Sequence, residues 1–484
     1  MNYKMIARFY ALILGIEAVF MLPALAISYY DGTERTTNAY LMTLAAMAVV
    51  ILFLSVFSIR SERGFYVKEG LVCVGSGWVL LSLFGCLPFF LSGEIPHFID
   101  ALFEIVSGFT TTGSSILSNP EELTRAALYW RSFSHWLGGM GVLVFLLAIV
   151  PVGNGDEGFT MHLLRAESPG PSVGKLVPKM KQTAKVLYLV YVALTVINFA
   201  LLMLGGVNWF ESICTAFGTA GTGGFGLKSD SMGGYNSYVQ VVTTIFMLLF
   251  GVNFSCYYLI LLKQVRAVLK DEELRLYFGL VVGSIVLISI NLIGVYSNIF
   301  ETVKHASFQV ASVITTTGFS TVDFDLWPSF SKAILMILMM VGACAGSTGG
   351  GLKCIRLLLL FKSIRRTIEQ VLRPNRVKVV RVNEKTMDEK LIANTNAYFA
   401  VYVMLMIVSF FIISLDGFSV LTNFTAVLSA VNNIGPGLEA VGPMCNFGGY
   451  SVLSKIVLIF DMLAGRLEIF PILMLFNFHA WKKH

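Results

Sequence analysis

Long apolar runs alternate with short polar ones from one end of the chain to the other. Runs near 5–27, 40–59, 186–205, 278–294 with its flanks and 395–415 each approach the roughly 20 residues a helix needs to cross a bilayer. They predict spanning helices, and nothing between them is long enough for a large soluble domain. The first run follows Lys4 and Arg8, as the core of a signal peptide would. It is too long for one and ends in no convincing small-residue cleavage site, so it is read as a retained span.

After two leading spans one design recurs four times: apolar run, short aromatic-led amphipathic segment, Gly/Thr or Gly/Asn loop, apolar run. The short segments read ALFEIVSGFTTTG, NWFESICTAFGTAG, ASFQVASVITTTG and LTNFTAVLSAVNNIG. A Phe near each start (Phe103, Phe210, Phe308, Phe424) precedes a glycine (Gly113, Gly221, Gly318, Gly435) by 10, 11, 10 and 11 residues. Ten helical residues rise about 15 Å, half the hydrocarbon thickness. Such a segment must enter and return. Irregular backbone is tolerated at that depth only where protein buries it or where it lines a water-filled cavity. Four polar loops therefore imply a cavity.

The predicted fold is all-α and polytopic. It has about ten transmembrane helices plus four re-entrant pore helices, arranged as four pseudo-repeats of helix, pore loop and helix around one pore. Residues 1–66 hold the leading pair, 67–152 the first repeat, and 153–265 a cytoplasmic loop with the second repeat. The third repeat, 266–362, is followed by a basic cytoplasmic linker, 363–392, and the fourth repeat, 393–484.

Composition fits, with 56% of residues hydrophobic. The net charge of +6 sits in alternate loops: Arg60, Arg63 and Lys68; Arg165, Lys175, Lys179, Lys181 and Lys185; Lys263, Arg266, Lys270 and Arg275; the run from 353 to 390; and Lys482 with Lys483. This is the positive-inside pattern, not a nucleic-acid footprint. It puts both termini in the cytoplasm and the four re-entrant loops outside. The seven cysteines are scattered without CxxC spacing and read as packing residues. The six histidines, among them His135, His162 and His305, make no HExxH motif, and no nucleophile stands beside a base. An enzyme is not indicated.

Four half-helices around an axis aim the negative ends of their dipoles at one point, which favours a cation. The glycines just beyond allow successive carbonyls to face inward, and rings of carbonyls replacing a hydration shell make a potassium filter. The third repeat adds GACAGSTGGG, 342–351, between two apolar stretches. Each glycine there costs a helix about 1 kcal/mol relative to Ala. The helix should break, either as a flexible intramembrane gate built on Gly342, Gly346, Ser347, Thr348, Gly349, Gly350 and Gly351, or for close packing of small residues. The contiguous polar run favours the gate. The glycine run lacks GxxxxGK[ST] spacing, so no nucleotide site is read into it. The last span carries Asp461, Arg466 and Glu468, whose spacing suits no local ion pair, so each is expected to meet another element or the pore.

Taken in order, these repeated motifs resemble the bacterial Trk/Ktr/HKT potassium-uptake superfamily, and most closely its TrkH-type membrane subunit, over essentially the whole chain. The resemblance implies a single-chain pore with one critical glycine per loop. Carried over by position, these are Gly113, Gly318 and Gly435. In the second loop the offset selects Gly221, aligning Gly224-Phe225 with Gly318-Phe319 selects Gly224, and Gly223 lies between; Gly221 is taken. The adjoining ion-facing positions are Thr111 and Thr112, Thr219 and Ala220, Thr316 and Thr317, and Asn433 and Ile434. The resemblance also implies an arginine beneath the filter, matched by Arg466, and rubidium permeating with potassium. It further implies a homodimer docked on a cytosolic TrkA-type nucleotide-binding regulatory subunit. On this reading the protein lies in the bacterial inner membrane, holds K+ at the filter residues, and carries no covalent cofactor or nucleotide of its own. The competing class is a K+ symporter driven by H+ or Na+ through alternating access, since broken helices occur there too. Four parallel repeats about one axis favour the pore.

Overall fold

In the computed structural model, residues 3–58, 67–139, 141, 180–374 and 378–477 are described. Arg60, Arg63, His162, Arg165, Lys175, Lys179, Lys482 and Lys483 lie outside them, as does the rest of 142–179. Two leading helices, Tyr3–Tyr30 and Glu34–Ser58, pack on one another. The second turns Val49, Leu52, Phe53 and Val56 outward, an apolar face suited to lipid.

Each repeat contributes a long helix and then a short one. The long helices are Val67–Gly85, continued by Leu87–Ser92, then Met180–Leu204, Glu272–Asn291 and Glu389–Ile413. The short ones are Phe98–Phe109, Trp209–Gly221, Ile299–Ile314 and Val420–Asn432, at 12, 13, 16 and 13 residues. At about 1.5 Å per residue none reaches across a bilayer. Three starts are fixed by side-chain caps: Asn208, Asn298 and Ser419 accept amide hydrogens of their own helices' first turns. The last turns of all four short helices are buried.

The second helices differ from expectation. The sequence predicts one break, in the third repeat; the second and fourth repeats break as well. Ser237–Phe250 meets Phe254–Leu261 at an 88° bend, and Val452–Arg466 stops before Phe470–Leu475. Among the described residues six continuous helices are long and apolar enough to cross a membrane, or seven with the bent pair. A total of ten therefore requires counting interrupted helices as spans. In the third repeat Ser329–Val341 gives way to an irregular loop, and the chain resumes as Cys354–Leu372.

The two interruptions interlock. Cys344 N donates to Gly251 O at 3.1 Å, and Phe254 N to Gly346 O at 3.0 Å, so each break satisfies backbone groups the other exposes. The basic stretch after the third repeat is no bare loop. It comprises the helix to Leu372 and a two-stranded hairpin, Arg381–Val382 with Lys385–Thr386, held by Lys362–Glu272, Arg366–Glu389 and Lys378–Glu369 pairs.

Candidate functional site

The short helices end in one closure repeated four times. Thr111, Thr222, Thr316 and Asn433 take left-handed φ values of 57°, 53°, 57° and 54°. Their amides reach back to the oxygens of Gly108, Thr219, Val313 and Ala430. The next amides, of Thr112, Gly223, Thr317 and Ile434, reach back to Ser107, Gly218, Ser312 and Ser429. This is the Schellman closure, which ordinarily places Gly or Asn at the left-handed residue. Here three of the four are β-branched threonines, a strained choice.

Two residues past each left-handed position stands a glycine, again at positive φ: Gly113, Gly224, Gly318 and Gly435. A Cβ on Gly113 would lie 2.1 Å from Gly223 O, on Gly224 1.9 Å from Thr317 O, on Gly318 2.2 Å from Ile434 O, and on Gly435 2.9 Å from Thr112 O. The contacts run from repeat one to two, three, four and back to one. The chain thus closes a ring in which each glycine abuts the carbonyl that precedes the next glycine. All four glycines line one cavity of about 110 Å³, together with Ser114, Ser320 and Asn446.

The expected triplets of repeats one, three and four coincide with this ring. That of repeat two does not. Thr219, Ala220 and Gly221 form the last helical turn, and a Cβ on Gly221 would meet His135 O at 2.2 Å. The ring position belongs to Thr222, Gly223 and Gly224. The Phe landmark misleads because it is not equivalent in all repeats. Phe103 and Phe308 stand eight residues before the left-handed residue, where repeats two and four carry Cys214 and Thr425.

Buried polar groups brace the ring from behind. His135 Nδ1 donates to Gly108 O at 2.8 Å while Nε2 accepts from Phe225 N at 3.3 Å, which fixes its tautomer and joins repeats one and two. Arg131 donates to Glu104 at 2.5 Å and to Gly226 O at 2.9 Å, with its guanidinium 3.7 Å from the Phe225 ring centre. Glu104 also accepts from Ser115 Oγ and Ile116 N. Composition and spacing give no hint of this clamp. Arg131→Leu is expected to strand Glu104 and cost about 3–5 kcal/mol. Thermal unfolding of the detergent-solubilised protein measures this, and Glu104→Leu added to Arg131→Leu should recover much of the loss.

The 342–353 loop lies against the ring. Gly350 N donates to Thr316 Oγ1 at 2.6 Å, and Cβ atoms on Gly349 and Gly350 would lie 2.9 Å from Thr315 O and 2.5 Å from Asn432 O. Gly342, Gly346 and Gly351 all take positive φ, which lets the loop fold tightly back on itself. Ser347 Oγ donates to Cys344 O, and Thr348 Oγ1 to Phe250 O. Arg466 donates to Thr348 O at 2.9 Å, to Gly139 O at 2.7 Å and to Gly138 O, bridging the loop to the second helix of repeat one. Glu468 pairs instead with Arg356, and Asp461 accepts from Ser409 Oγ at 2.7 Å. Lys353, unremarkable in the sequence, donates to Gly349 O and brings a second positive charge to the loop.

On the opposite side of the ring Val441 and Gly442 line the cavity. Beside them the hydroxyls of Ser419 and Thr422 hold the exposed Glu439 carboxyl below its ordinary range, so it stays anionic in mild acid. Carbonyls in a ring with a carboxylate near one mouth suit a partly dehydrated cation.

The TrkH family, described as "Cation transport protein", matches residues 39–481. The chain is 35% identical to the "Trk system potassium uptake protein TrkH" of Escherichia coli (strain K12), covering 100% of both. It is 33% identical to that organism's "Trk system potassium uptake protein TrkG" over 86% of each chain. The crystal structure of the potassium transporter TrkH from Vibrio parahaemolyticus superposes with a TM-score of 0.86 at 29% identity, over 100% of both chains.

Proposed function

Because the chain belongs to the TrkH family of cation transport proteins and is not an enzyme, we propose that it takes up K+ across the bacterial inner membrane. The ion passes, with Rb+ as a permeant substitute, through a filter formed by Thr111–Gly113, Thr222–Gly224, Thr316–Gly318 and Asn433–Gly435. The observation that carries this reading is the closed ring of four positive-φ glycines, each against the next repeat's carbonyl. Carbonyls held at fixed spacing by such contacts replace water around a cation without side-chain charge. The names of the E. coli relatives, potassium uptake proteins, supply the ion.

The 342–353 loop is the gate. It is joined to the filter through Thr316 and held by Arg466, whose charge opposes a cation leaving the ring. The four pore loops face outward and both termini inward, in keeping with the basic segments. The functional unit is a homodimer, and a cytosolic nucleotide-binding subunit of the TrkA type moves the gate through the basic region that begins with the helix after it.

Rb+ flux into proteoliposomes holding the purified protein, with and without an opposing Na+ or H+ gradient, tests the reading. Downhill uptake that needs no second gradient is expected of a gated pore. Uptake that requires the second ion would replace it with coupled symport.

A further inference from the structure

The loop carries a pair of cysteines at its stem, and their surroundings differ from those of the other five. Cys344 lies near the start of the loop and Cys354 opens the helix that follows. Both are fully buried. Backbone contacts hold the stem closed: Cys354 N donates to Ala343 O at 2.9 Å, and Cys354 Sγ lies 3.5 Å from Gly342 O. One oxygen of Glu273 accepts from the amides following both cysteines, Ala345 N at 2.6 Å and Ile355 N at 3.1 Å. The neighbouring helix thus pins the two strands of the stem side by side.

We propose that Cys344 and Cys354 form a redox-closable pair whose disulfide locks the loop against the ring. The bond from Cys354 N to Ala343 O and the shared Glu273 acceptor set the two residues side by side, so disulfide formation asks for side-chain rotation and not for a new backbone path. The bond would close a covalent ring around residues 345–353, the segment that touches Thr316 and Arg466. Constraining that ring removes the loop's alternative conformations. The oxidant class is a hydroperoxide. One thiol attacks the O–O bond and becomes a sulfenic acid as water departs from hydrogen peroxide, or an alcohol from an organic hydroperoxide; the second thiol attacks that sulfur, S–S forms, and water departs. Two thiols lose two protons and two electrons, and the peroxide takes both. Buried thiols react slowly, but Gly346, two residues from Cys344, is exposed, so the pair lies just beneath the surface.

The proposal rests on the loop being the gate, and the experiment separates the two ideas. The full-length protein carrying Cys445→Ser, which removes the exposed cysteine, is treated in proteoliposomes with hydrogen peroxide. Non-reducing peptide mass spectrometry and Rb+ flux are read on the same sample. A linked peptide joining Cys344 to Cys354 is expected, with flux down about tenfold and restored by dithiothreitol. Cys354→Ala, or Cys354→Ser if the first folds poorly, should keep untreated flux and lose its sensitivity to peroxide. Absence of the linked peptide would overturn the thiol pair and leave the gate standing. A high yield of linked peptide with unchanged flux would overturn the gate and the lock together. Peroxide inhibition that persists in the Cys354 variants would place the sensitive group elsewhere and overturn the lock.

Discussion

Gly318→Ser is expected to reduce Rb+ uptake by about tenfold or more and to remove most of the preference for Rb+ over Na+. Two effects combine. At φ +86° an L side chain is strained by about 1–2 kcal/mol. The new Cβ would also sit 2.2 Å from Ile434 O, so that carbonyl must move. Because ring contacts are cyclic, displacing one oxygen loosens its neighbours. Gly279 supplies the control: it lies in the same repeat's first helix, and a Cβ added there would meet nothing within 4 Å, so Gly279→Ser should transport normally. Gly224→Ser should reproduce the selectivity loss. Gly221→Ala, which wedges against His135 O, should lower the yield of folded protein and leave the selectivity of what folds intact. Equal selectivity of Gly318→Ser and the wild type, at measurable flux, would refute the ring as the filter.

The register of the second loop shows which signals in a sequence carry positional information. Apolar runs and half-length segments give the architecture, because length against membrane thickness is a coarse constraint that side-chain identity hardly alters. Filter register depends on one residue, and a Phe on a buried helix face is a poor ruler, since Phe210 stands one turn further from its loop's left-handed residue than Phe103 does. The backbone closure is the better ruler. A residue in the left-handed region followed two positions later by glycine reads Thr-Thr-Gly, Thr-Gly-Gly, Thr-Thr-Gly and Asn-Ile-Gly in the four loops. The Gly-Phe pair at 224–225 and 318–319 points the same way. The break in the third repeat is legible in its glycines. Those in the second and fourth are not, because they depend on partners distant in sequence: the 250–254 bend borrows hydrogen bonds from the 342–353 loop. The clamp of Arg131 and Glu104, 27 residues apart, is likewise a product of tertiary packing.

Arg466→Ala is expected to raise downhill Rb+ flux about tenfold or more, the opposite sign to the filter substitution. Unit charges about 6 Å apart at an effective dielectric of about 20 repel by about 3 kcal/mol, enough to dominate a barrier. Arg466 also acts mechanically, since its donors hold Thr348 O of the loop and the carbonyls of Gly138 and Gly139 on another repeat. Removing it both lowers the barrier and releases the loop. Arg466→Lys divides the two contributions. Lysine retains the charge, but its single ammonium lacks the planar fork that bridges both elements. Flux near the wild-type value in Arg466→Lys would assign the barrier to charge, whereas flux near that of Arg466→Ala would assign it to the tether. If folded Arg466→Ala conducts no better than the wild type, Arg466 is a strut of the structure and the barrier lies elsewhere. The next group to test is then Lys353, whose ammonium donates to Gly349 O within the same loop.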